Sequence, residues 1–132
     1  MERKFINPSA LAAPRGYSHA VSAEGGRMIF ISGQVALDQQ GRLAGAGDLR
    51  AQAQQAFDNL AAVLEASGAT PSDVVKTNIY IVNYKSADLG VLRQVRSGIL
   101  DREHPPASTL VGVTSLAVEG LMIEVEAIAV VR

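Results

Sequence analysis

Along residues 49–64 the apolar positions Leu49, Ala53, Ala56, Phe57, Leu60, Val63 and Leu64 recur every three or four residues, which gathers them on one face of an α-helix. Asp48 stands where an N-cap is needed and Gly68 where a helix stops. Elsewhere the period falls to two. From Tyr17 to Ala23, the residues Tyr17, His19, Val21 and Ala23 alternate with Ser18, Ala20 and Ser22. From Val74 to Val82, Lys76, Asn78 and Tyr80 alternate with Val75, Thr77, Ile79 and Ile81. Three further runs read as strands: Met28 to Ile31, ended by Ser32-Gly33-Gln34; Ala107 to Val113; and a long apolar run from Leu121 to Val131, interrupted only by Glu124 and Glu126.

Punctuation completes the plan. Residues 1–16, carrying Pro8, Pro14 and Gly16, read as a short strand and an irregular lead-in, and Gly25-Gly26 is a turn. Gly41, Gly45 and Gly47 mark an open loop with room for a short strand at Arg42–Leu43. A second helix is predicted from Ser86 to about Leu100, burying Leu89, Leu92, Val95 and Ile99 and closed by Pro105-Pro106. The order βββ–α–β–α–ββ predicts an α+β domain spanning residues 1–132, a mixed sheet with both helices on one face. No helix is left for the other face, so strands apolar on both sides call for cover from other subunits.

Composition narrows the function. With 12 basic and 13 acidic residues, a net charge of −1 and 5% aromatics, the chain lacks the basic, stacking surface that nucleic acid demands. Nor does any apolar stretch reach membrane-spanning length, and no apolar run follows Glu2-Arg3-Lys4 to make a signal peptide. Cysteine is absent, which excludes disulfides, thiolate chemistry and Cys-ligated zinc. A cytoplasmic protein is expected.

Glu124 and Glu126, two apart in a strand, share a face with Met122, Ile128 and Val130. A carboxylate on such a face either becomes a base or water-orienting group, or is ion-paired or solvated at an interface. Spacing leaves both readings open. Tyr17 and His19 share another face, offering a hydroxyl, an apolar wall and a side chain that titrates near neutrality. Ser32 and Ser108 lack the Gly-x-Ser-x-Gly setting of a nucleophile and read as hydrogen-bonding groups. No metal-ligand spacing is present, and none of the glycine clusters matches a phosphate-cradling loop.

Five segments carry a resemblance: Gly16-Tyr17-Ser18, Ile31-Ser32-Gly33-Gln34, Gln55-Ala56-Phe57-Asp58-Asn59-Leu60, Asp73-Val74-Val75-Lys76-Thr77 and Ile123 to Val130. In order and spacing they resemble the RidA (YjgF) family across nearly the whole chain. That resemblance implies a homotrimer with a central barrel-like core, helices outside and ligand clefts between subunits. It also implies cofactor-free, metal-free hydrolysis of reactive enamines and imines to ammonia and a 2-oxo acid. Relatives are also called translation inhibitors or endoribonucleases (L-PSP). By the same resemblance Glu124 orients water, Tyr17 lines the pocket, and Ser32 and Gly33 contact a small-molecule substrate.

One position departs from the pattern. The deaminases carry an Arg after Pro-Ala to grip the substrate carboxylate, whereas here Pro106-Ala107 is followed by Ser108. A neutral hydroxyl replaces a two-pronged charged donor, and a charged hydrogen bond is worth about 1.5–3 kcal/mol. Carboxylate binding through this position is then weaker by roughly ten- to a hundredfold or more. Arg15 and Arg96 are replacements in kind, with no location in a cleft assignable from sequence. His19 stands where Gln is common. Two function classes remain: hydrolysis of a C–N bond with Glu124 and His19 as catalytic groups, or a non-catalytic binder of 2-oxo-acid-like metabolites in the same cleft.

Overall fold

The computed structural model describes residues 1–132. Its order is β1 (Glu2–Ile6), β2 (Ala20–Glu24), β3 (Arg27–Val35), α1 (Leu49–Ala66), a single 3₁₀ turn (Pro71–Asp73), β4 (Val74–Val82), α2 (Ser86–Ser97), β5 (Ala107–Val113) and β6 (Ile123–Val131). The predicted α+β order holds, but the strands divide. β3, β6, β4 and β5 form a mixed four-stranded sheet in that order, with β4 and β5 parallel and the other pairs antiparallel. β1 and β2 make a separate antiparallel ribbon.

α1 forms where its periodicity places it. Asp48 accepts the Ala51 N–H at 3.1 Å, satisfying one of the helix's free amides. The chain leaves through Ser67 and Gly68, the latter at φ +76°, where a side chain is disfavoured. Ala53, Ala56, Phe57, Leu60 and Leu64 are buried against Ile79, Ile81, Ile123, Val125, Ala127 and Ala129 of the sheet. Burying a side chain such as Phe57 stabilises by about 1.5–3 kcal/mol relative to leaving it in water. Gln52 lies within the same buried stripe. Its side-chain amide donates to Gly45 O at 3.2 Å and Gly120 O at 2.9 Å, while its Oε1 accepts the Met122 N–H at 2.8 Å.

Several boundaries differ from the periodicity, each through tertiary partners. β2 begins at Ala20 and not Tyr17, because the His19 amide donates to Asn7 Oδ1 and the Ser18 amide to Pro106 O. β3 continues through Ser32-Gly33-Gln34 by a bulge between Ile31 and Gln34, since β6 offers a partner along that length. A second bulge, between Val74 and Lys76, puts Val74 in the core where strict alternation places Val75. α2 stops at Ser97, before Gly98, and β6 starts at Ile123. Leu43 makes only an isolated bridge with Leu37.

Both helices cover one face of the four-stranded sheet, and they pack against each other. The opposite face is bare in the single chain: Met28 is 57% and Phe30 72% exposed. Lys76, Asn78, Tyr80, Glu124 and Glu126 share this face by register. No helix is long and apolar enough to cross a membrane.

Candidate functional site

Glu124 sits on the bare face, opposite Val35 of β3 and Tyr80 of β4. The bulge in β3 sets Ser32 and Gly33 beside this part of β6. A Cβ at Gly33 would overlap the Glu124 carboxylate, so a side chain there would displace it. Glu126 shares the face, as its spacing from Glu124 predicts, and accepts a short hydrogen bond from the Tyr80 hydroxyl. That bond, with burial and the charges of Glu126 and Glu124, raises the Tyr80 pKa above its ordinary value.

A second group forms where the chain ahead of β2 meets the start of β5. The Ser18 hydroxyl donates to Pro105 O at 2.6 Å and its amide to Pro106 O at 3.0 Å, and Ser18 bridges Ala107. These bonds hold Tyr17 and His19 beside β5. Their rings meet edge to face, with centroids 5.5 Å apart. His19 Nε2 lies 2.8 Å from Ala12 O. A carbonyl only accepts, so Nε2 carries the hydrogen and Nδ1 is left as the acceptor when the ring is neutral. Ser108 accepts the Thr77 hydroxyl at 2.9 Å. Thr77 is fully buried on the helix side of the sheet, so Ser108 faces that side as well.

The candidate residues therefore fall into two groups within one chain: Ser32, Gly33 and Glu124, and Tyr17, His19 and Ser108. Ser108 and Glu124 leave the sheet on opposite faces, with β4 between their strands, a lateral separation of roughly 10 Å. One chain does not bring the two groups together.

Beside the second group lies a feature whose segments no local period relates. Arg15, Arg93, Arg96 and Arg102 line a cavity of about 430 Å³, with Gly16 and Asp101. Arg96 is only 7% exposed, and its guanidinium lies against Gly16, where a Cβ would stand 2.5 Å from Nη2. Burial, and then the charge of Arg93, lower the Arg96 pKa. Asp101 is already engaged. It accepts the Glu103 and His104 amides at 2.9 and 3.0 Å, bonds that hold its carboxyl below the usual range. The sequence offers Arg15 and Arg96 as replacements in kind and singles out neither Arg93 nor Arg102. The available signal was the three-residue spacing of Arg93 and Arg96 on one helix.

The sequence pattern defining the Endoribonuclease L-PSP family matches residues 7–131. A 2-iminobutanoate/2-iminopropanoate deaminase from Dermatophagoides farinae is 37% identical over 131 residues, 98% of this chain and 98% of that protein. Among solved structures, a Yersinia pestis protein of unknown function in the conserved Rid family is 41% identical, with a TM-score of 0.89 over 99% of this chain and 100% of that one. RidA from an Antarctic Psychrobacter is 35% identical, with a TM-score of 0.71 over 91% of this chain and 92% of that one. Matched in sequence from end to end and in fold over nearly its whole length, this chain belongs to the RidA (YjgF) family, the Endoribonuclease L-PSP group.

Proposed function

We propose that this protein hydrolyses an enamine, an imine or a related C–N bond of a small metabolite, in a cleft built between subunits of a homotrimer. The observation that carries this reading is the seating of the Glu124 carboxylate against Gly33, on a sheet face that a second chain would cover. The deaminase relative, alike over nearly its whole length, supports the reaction class.

In this reading Ser32, Gly33 and Glu124 of one subunit face Tyr17, His19 and Ser108 of its neighbour. Glu124 orients water toward the imine carbon. The C–O bond forms as the C=N electrons move to nitrogen, and collapse of the carbinolamine expels ammonia and leaves a carbonyl. A water-depleted cleft strengthens the carboxylate's hold on that water. His19, with Nδ1 free as an acceptor, takes the proton that the attacking water gives up and returns it to the departing nitrogen, and Tyr17 forms a wall. Ser108 acts as a neutral anchor through the hydroxyl hydrogen that its bond with Thr77 leaves free.

The test generates an imine in place with an amino acid oxidase and follows ammonia and 2-oxo acid release. Acceleration over buffer, abolished by Glu124→Ala, is expected. No acceleration across several parent amino acids would overturn it. The uncharged Ser108 favours a second reading, a non-catalytic metabolite binder, in which 2-oxo acids raise the melting temperature without turnover.

A further inference from the structure

Four arginines around one cavity repel one another unless something negative stands between them, and proteins normally supply a carboxylate for that purpose. Here none does. Arg15, Arg93, Arg96 and Arg102 make no ion pair and no side-chain hydrogen bond, although the chain forms ion pairs elsewhere, at Arg3–Asp73 and Arg42–Asp38. The one acid at the rim, Asp101, is occupied by two backbone amides. Arg96 is more than nine-tenths buried, and the Nε of Arg93 is buried with no partner at all. A buried donor left unmatched costs about 1–3 kcal/mol, more when charged, so a fold that keeps one beside a buried guanidinium without an ion pair, at one cavity, is arranged for a ligand.

The geometry points to a binding site for a small dianionic oxyanion, a phosphate group or a paired carboxylate, held by Arg93 and Arg96 with Arg15 and Arg102 at its mouth. Guanidinium forks match such oxygens two at a time, and more than one fork favours a doubly charged ligand over a single carboxylate. The walls suit the task as well. Gly16 gives the Arg96 guanidinium its space, and Leu100 and Pro105 supply apolar lining. About 430 Å³ holds a small metabolite and not a polymer.

Location ties the cavity to the proposed reaction. Gly16 and Pro105 line it, and they adjoin Tyr17 and, three residues on, Ser108. We therefore assign these arginines the charge that Ser108 cannot provide, so that the preferred substrate carries an extra anionic group. This anchoring role rests on the C–N hydrolysis reading; dianion binding by itself does not.

Isothermal titration at fixed ionic strength, with the full-length protein and inorganic phosphate, malonate and acetate as probes, separates the two claims. Saturable binding of phosphate or malonate is expected, at least tenfold tighter than that of acetate. Arg96→Gln and Arg93→Gln should each weaken it tenfold or more. Arg102→Gln, at an exposed position that folding tolerates, should weaken it severalfold. If neither dianion binds, or if the folded variants bind as the parent does, the site is refuted whatever the imine assay shows. Dianion binding without imine turnover would leave the site standing and refute the hydrolysis reading together with the anchoring role that rests on it.

Discussion

The carboxylate of Glu124 occupies the volume that a side chain on Gly33 would fill. Strand, bulge and glycine therefore act together to set this carboxylate. Gly33→Ala should keep the fold and assembly but push Glu124 aside, reducing turnover in the coupled imine assay by roughly 10- to 100-fold, the cost of an ångström-scale misplacement. Unchanged turnover with a displaced carboxylate would remove Glu124 from the reaction.

Phe30 and Met28 stand exposed on the face opposite the helices. Large apolar side chains gathered on one sheet face mark an interaction surface. Phe30→Glu should convert the assembly to smaller species in sedimentation equilibrium, with circular dichroism retained. A parent protein that sediments as a monomer would contradict both this prediction and the cleft.

The Tyr80–Glu126 bond has a pH signature. Because Tyr80 loses its proton less readily when folded than when unfolded, the stability it contributes is fully present below pH about 10 and is lost as pH rises through the elevated folded value. Tyrosinate absorbance should show one of the three tyrosines ionising last, and Tyr80→Phe should remove that final step. Identical titration of parent and variant would show that the hydroxyl does not donate to Glu126.

Gln52 is the polar pin of the core. Gln52→Leu would strand two carbonyls and one amide that now share its side chain, lowering unfolding free energy by about 2–4 kcal/mol in urea titrations at fixed protein concentration. A loss below roughly 0.5 kcal/mol would mean that water replaces all three bonds.

Some of this was legible before any fold. The repeat from Leu49 to Leu64 determined α1, because helix geometry places residues three and four apart on one face whatever surrounds them. Alternation likewise put Glu124 and Glu126 on a common face, and the apolar content of β3 and β6 implied that this face needs cover. The family resemblance offers Tyr17, Ser32, Gly33 and Glu124 as candidates, and Ser108 as a departure, which remain part of the proposal.

What only the tertiary structure decided depends on partners distant in sequence. Whether Ser32-Gly33-Gln34 ends a strand or bulges through it depends on β6, some ninety residues away. That Ser108 turns toward Thr77, opposite to Glu124, depends on its register with β4. The arginine cavity joins the segment before β2, the end of α2 and the loop before β5, which no local period relates. Periodicity reports the neighbours a residue has along its own element; charge and cavity depend on neighbours that only packing supplies.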